Sequence, residues 1–162
     1  MANQKVAPLS LSLMLVAAVA LGLLTVAQAS ADAAGVGTYR WPVIEVTDGD
    51  TIKVAIPGLP AELNPIGVRL RGINTPETGG KAQCQSERDL GAKAKAEAKR
   101  LVAAALRAGQ PIEFREVKWD KYGGRVDARV LIGGQDMAGT LIGKGLGRPY
   151  DGGKRAGWCG RV

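Results

Sequence analysis

The chain has 162 residues, enough for one compact domain and not comfortably two. It carries 22 Lys and Arg against 15 Asp and Glu, a formal net charge of +7. That excess draws a protein toward polyanions and equally serves plain solubility, so charge gives an address and no chemistry. It has no histidine, which excludes imidazole acid–base chemistry and His-ligated zinc and leaves carboxylate, arginine and metal.

Lys5 is the only charge before Asp32, and residues 9–26 are apolar except for Ser10, Ser12 and Thr25. Ala27-Gln28-Ala29 then fits the small-x-small pattern of signal cleavage, so residues 1–29 read as a secretory signal cut after Ala29. An uncleaved membrane anchor is the alternative, because the apolar run is long for a signal core. Residues 30–41 are small and polar at first and read as a linker. Residues 43–47 alternate and are β-branched, which predicts a strand; Asp48-Gly49 predicts a hairpin turn, and residues 51–56 the returning strand. Residues 57–65 form a Pro/Gly loop. A third strand is expected over 66–73, with Arg69 and Arg71 on one face and Val68 and Leu70 on the other. Asn74-Thr75-Pro76-Glu77 is a turn fixed by its proline.

Ser86 and Asp89 read as a capping pair for the longest helix, which runs to about Arg107. Leu90, Ala94, Ala98, Leu101, Val102 and Ala105 keep near-helical spacing along it, and Gly109 and Pro111 end it. Residues 112–119 and 125–132 are two further strands joined by a Gly-Gly hairpin. A short helix follows over 135–144, stopped by Gly145, and the end from Arg148 onward reads as irregular. Five short strands with an interposed helix predict an α+β, mainly β fold: a five-stranded OB-fold barrel with two or three helices. Cys84 and Cys159 are an even pair, which in an exported chain favours a disulfide; two free thiols are the alternative. Such a bridge would pin the Gly-rich tail beside the start of the long helix.

The candidate site residues gather at the strand ends. Asp50 opens the second strand and Asn74 ends the third, and neighbouring antiparallel strands can bring those ends together. Oxygen ligands from Asp50, Asn74 and the Thr75 carbonyl would suit a hard cation such as Ca²⁺. Glu77 would then lie near a metal-associated water. Arg69 and Arg125 can clamp a phosphate from two places in the chain and neutralise charge that grows on attack. Taken singly, each of these residues is equally a turn former or a solvated surface charge.

The runs Asp48-Gly49-Asp50-Thr51, Val68-Arg69-Leu70, Thr75-Pro76-Glu77-Thr78 and Asp120-Lys121-Tyr122-Gly123-Gly124-Arg125 resemble the staphylococcal nuclease (thermonuclease) family. Leu141-Ile142-Gly143-Lys144-Gly145-Leu146 resembles the helix and turn that close that domain. The resemblance covers about residues 42–150, leaving 151–162 as a tail. It implies an OB-fold enzyme that hydrolyses DNA and RNA with Ca²⁺, or another divalent cation, and breaks the 5′ P–O bond to leave 3′-phosphate ends. It implies metal ligation by Asp50, Asn74 and Thr75, a general base in Glu77 and phosphate-binding arginines in Arg69 and Arg125. Lys121, Tyr122 and Tyr150 match positions that lie against the nucleotide. The chain departs from the family pattern twice. Asn74 stands where an aspartate is usual, which removes one negative charge. Gly123-Gly124 has one glycine more than the usual Tyr-Gly-Arg, which could re-aim Arg125 or be absorbed as a bulge.

The expected protein is therefore an exported, secreted or periplasmic, monomeric nuclease acting on DNA or RNA, without stable membrane association once the signal is cleaved. The alternatives are a non-catalytic OB-fold nucleic-acid binder and an envelope protein whose basic surface meets anionic lipid or polysaccharide.

Overall fold

The computed structural model describes residues 37–121 and 123–160; the expected signal segment, most of the expected linker and Tyr122 lie outside the described residues. Among the described residues no helix is long and apolar enough to cross a membrane.

Of the segment expected as a linker, Thr38–Tyr39 form a short strand, β1, paired with Phe114 and Arg115 of a later strand. Alternating residues make β2 (Val43–Asp48) and β3 (Thr51–Val54), which pair antiparallel through a turn at Gly49 and Asp50. The turn thus falls one residue later than expected, with Asp48 paired to Thr51. The strand expected over 66–73 is two. β4 (Ile66–Leu70) pairs with β3, and β5 (Gly72–Asn74) leaves that sheet. The break falls where Gly72 takes a φ of +81°, a conformation that costs glycine little and redirects the chain.

The long helix, α1, spans Gln85–Arg107, as its apolar spacing predicts. Its start differs from expectation. Cys84 is the residue at the cap and makes no side-chain capping bond, while Ser86 lies inside the first turn. Glu87 does the capping work from within the helix: its carboxylate accepts from the Gln83 amide at 2.8 Å and the Glu77 amide at 3.3 Å. The strands β6 (Ile112–Trp119) and β7 (Arg125–Ile132) have the bounds their sequence predicts. A two-residue strand β8 (Gln135–Asp136) leads into α2 (Met137–Gly143). β9 (Arg148–Tyr150), expected to be irregular, pairs antiparallel with β5.

The fold is α+β and mainly β, of the OB type. The hydrogen-bonded ladder runs β1-β6-β7-β4-β3-β2 with β8 beside β7, and it does not close on itself. The pair β4/β7 is parallel and the other pairs are antiparallel. Side chains from the inner face, among them Ile52, Val68, Leu70, Phe114 and Val130, meet Ala98, Val102 and Ala105 of α1 and Leu141 of α2 in one core. Burying each of these side chains larger than alanine contributes roughly 1.5–3 kcal/mol relative to exposure. Arg40 and Arg115 both pair with Glu113, and the hydrogen bond from Arg40, then that from Arg115, holds its carboxyl below the usual range.

Cys84 and Cys159 are joined in a disulfide that spans 75 residues, so the start of α1 and the end of the tail are tied as the sequence predicts. In the chain-entropy account a loop of that length contributes about 4–5 kcal/mol.

Glycine decides how close α1 comes to the turns. A Cβ on Gly91 would lie 2.4 Å from the Glu77 carbonyl oxygen and 2.8 Å from that of Pro76. Alanine in a helix normally stabilises relative to glycine, by about 1 kcal/mol. Gly91→Ala is expected to do the reverse and lower the thermal midpoint, since overpacking against backbone costs about 1–3 kcal/mol. Gly143→Ala, where a Cβ meets nothing within 4 Å, should be neutral or slightly stabilising. Circular-dichroism melts of the two variants check this.

Glu97 on α1 accepts from Arg100 at 2.7 Å and pairs with Lys144, just past α2, at 3.2 Å. The Arg100 hydrogen bond, aided by Lys144 and opposed by burial, brings its carboxyl down to about 2. A folded-state value below the unfolded one stabilises above the ordinary carboxylate range and is lost as pH falls through about 2. Glu97→Gln should therefore melt below the parent at neutral pH, and the two denaturation curves should converge in strong acid.

Candidate active site

Three chain segments meet at one end of the sheet: the β2–β3 turn, the loop after β5 and the first turns of α1. Small residues allow it. A Cβ on Gly49 would lie 2.8 Å from the Ala94 Cβ and 2.9 Å from Thr75 Cγ2. Only glycine lets the first turn slide between the helix and the loop. Thr78 then donates its hydroxyl to Asp48, joining turn to loop.

Asp50, Asn74 and Thr75 come together there, and they are 5%, 7% and 3% exposed. Asp50 Oδ2 accepts from the Thr75 amide at 3.0 Å. Asp50 Oδ1 accepts from the Thr51 hydroxyl at 3.1 Å and faces Arg69 Nη1 at 3.1 Å. Arg69 also donates through Nη2 to the Ile73 carbonyl at 3.4 Å, so its guanidinium is fixed between two elements.

Arg125 reaches the same face. In the parallel pair β4/β7, Gly67 stands opposite Arg125 and Arg69 opposite Asp127, so Arg69 and Arg125 project from one side of adjacent strands. Gly67 leaves room for it, since a Cβ there would lie 3.3 Å from that of Arg125. The extra glycine sits in the turn. Gly123 and Gly124 take φ of +74° and +75°, the Gly123 amide donates to the Asp120 carbonyl at 3.0 Å, and the Asp120 amide to that of Arg125 at 3.1 Å. Arg125 thus opens β7 in register, hydrogen-bonded to the Asp120 carboxylate. The irregularity in this hairpin lies farther off, between Arg115 and Lys118, where Glu116 has a φ of +53°.

Arg69, Arg125, Lys121 and Tyr150 line a groove of about 860 Å³ on this face. Tyr122 lies outside the described residues. Arg71, more exposed, borders the same groove and pairs there with Glu116 at 2.7 Å. Glu77 borders a smaller pocket with Asn74 and Thr75, and its Oε1 accepts from Arg155 Nη1 at 3.0 Å. Sequence reasoning passed over Arg155. The signal was available: Glu77 precedes Cys84 by a few residues and Arg155 precedes Cys159 by fewer, so the bridge that was expected brings them together.

The donors fit a hard divalent cation. The Asn74 Oδ1 atom is buried with no hydrogen-bond partner, an arrangement that costs about 1–3 kcal/mol unless something occupies it. It belongs to the residue next to Thr75, whose amide is bonded to the Asp50 carboxylate, and amide, carboxylate and carbonyl oxygens are the donor type that Ca²⁺ takes. Cys84, Glu87 and Cys159 also lie close together, but both sulfurs are committed to the disulfide and offer no thiolate. If Asn74 is a metal ligand short of one charge, Asn74→Asp will tighten Ca²⁺ binding, read by calorimetric titration; an unchanged affinity would remove position 74 from the ligand set.

Residues 67–156 match the family model described as "Staphylococcal nuclease homologue". No curated protein matches the chain.

Proposed function

The chain belongs to the staphylococcal nuclease homologue family, a nuclease-like and nucleic-acid-binding family, and from that premise we propose that it is an exported, divalent-cation-dependent nuclease of low sequence specificity. The observation that carries the reading is the joint presentation of Arg69 and Arg125 on adjacent strands, beside Asp50, Asn74 and Glu77. A binder needs the arginines and has no need of that carboxylate. The apolar start of the chain and the disulfide support export to a secreted or periplasmic location, and we assume a monomer.

In this reading Asp50, Asn74 and the Thr75 carbonyl would hold the cation, with Ca²⁺ the best fit to their oxygens. A bound cation supplies Lewis acidity to the phosphate and to a nearby water. Arg69 and Arg125 hold the non-bridging phosphate oxygens and stabilise the added charge of the five-coordinate transition state. Their carboxylate partners hold them in place beforehand, so little reorganisation is needed at the moment of reaction. Glu77 accepts the proton of the attacking water as its oxygen bonds to phosphorus, the 5′ P–O bond breaks, and the departing 5′-oxygen takes a proton from solvent water to become a hydroxyl. The products carry 3′-phosphate and 5′-hydroxyl ends.

The second reading, nucleic-acid binding without cleavage, is favoured by one contact: Glu77 is held by Arg155. One experiment separates the two. The domain from Ser30 onward is incubated with heat-denatured DNA, with Ca²⁺ or with chelator, beside Glu77→Gln. The nuclease reading expects Ca²⁺-dependent cleavage that falls by orders of magnitude in the variant while binding persists. Binding without cleavage under any divalent ion would assign the chain to the second reading.

A further inference from the structure

The segment after β9 has little regular structure, yet it is fastened at four points. Tyr150 Oη donates to the Gly153 carbonyl at 2.9 Å, which closes a first turn. Arg148 Nη1 donates to the Gly157 carbonyl at 3.0 Å, and the same guanidinium lies 3.8 Å from the centre of the Trp158 ring. Cys159 is bonded to Cys84 at the start of α1. Between these fastenings stands Arg155, which borders both the large groove and the pocket over Glu77. Its guanidinium carbon is 5.8 Å from the centre of the Tyr150 ring.

We propose that Arg155 is a third phosphate-binding residue of the groove, presented by the disulfide-fastened tail and shared between Glu77 and an incoming nucleic-acid strand. The proposal rests on the nucleic-acid-processing reading above. Five arginines border the large groove, Arg71 and Arg129 at the side of Glu116 and Asp136, and the other three are held by carboxylates of or near the candidate site: Arg69 by Asp50, Arg125 by Asp120 and Arg155 by Glu77. The last of these pairs is looser than the first. Its side chains are 42% and 30% exposed, against 11% and 7% for Arg69 and Asp50. Exposed pairs contribute little to stability, so a phosphate can take Arg155 from Glu77 at small cost. That exchange has two results at once. The strand gains a charge-assisted contact next to Tyr150, where a base can stack, and the Glu77 oxygen is freed to meet water. The tail is therefore part of the substrate site, and the disulfide sets where its arginine stands.

The test compares Arg155→Ala and Arg155→Lys with the parent chain. Binding of a fluorescent single-stranded oligonucleotide is followed by anisotropy in chelator over a range of salt. Arg155→Ala should weaken binding and reduce the slope of log K against log salt by about 0.7, the loss of one phosphate contact on a single strand. Arg155→Lys should restore the slope. In cleavage, Arg155→Ala should raise KM several-fold with kcat nearly unchanged, and Cys159→Ser should move KM in the same direction. An unchanged salt slope and KM in Arg155→Ala would overturn the proposal. So would a rise in kcat with unchanged KM, which would make the arginine a brake on Glu77. A parent chain that binds but does not cleave sinks the nuclease reading alone, because the salt slope still reports on Arg155. A thermal melt of Arg155→Ala matching the parent excludes misfolding as the source of any effect.

Discussion

Everything in the candidate site depends on how closely α1 lies against the two turns beneath it. Gly49, Gly91 and Ala94 have little or no side chain, and the spaces a Cβ would need at the two glycines are filled by backbone carbonyls, Thr75 and Ala94. The helix therefore acts as a rigid lid on the backs of both turns. Beyond them the apolar stripe Ala98, Val102 and Ala105 continues into the barrel-like core. Hydrophobic burial along the helix is the source of the force, and contact without intervening side chains delivers it to the turns. Glu87 adds direction. A buried carboxylate whose two oxygens hold the Gln83 and Glu77 amides fixes the loop that carries Glu77 to the same helix.

The charges are arranged on the same principle. Burying Asp50 and Arg69 is tolerable because each satisfies the other and both have additional hydrogen bonds to the main chain or to a hydroxyl. Asn74 is the exception, with its amide oxygen unpartnered in an otherwise satisfied cluster. A fully paired cluster would be a structural ion pair and nothing more. One that leaves an oxygen turned inward keeps the capacity to take a cation.

Much of this could be read in the sequence, for reasons that differ by element. β6 and β7 were legible to the residue because they are long, β-branched and separated by glycines. α1 was legible from its spacing, but its start was not, because the capping comes from Glu87 within the helix and from no conventional residue before it. The break that makes β5 a separate strand was missed, and so was β9, because three residues carry too little pattern; among the described residues the two pair with each other. The gathering of Asp50 and Asn74 was legible from strand ends, and the family match, over residues 67–156, takes in the motifs that carry Arg69, Thr75 and Arg125 and stops short of the one that carries Asp50. The in-register position of Arg125 required coordinates, since two glycines allow either a shift or a wider turn.

The parallel pairing of β4 with β7 has a consequence for the order of assembly. Arg69 and Arg125 belong to strands separated in the chain by β5, the whole of α1 and β6. Closing that loop costs conformational entropy before any ladder contact repays it, so this pairing is intrinsically slow compared with the hairpins on either side. A chain cut short before β7 can form β2, β3 and β4 and still lack the second guanidinium. The two-arginine face is thus withheld until nearly the entire domain has been delivered and folded.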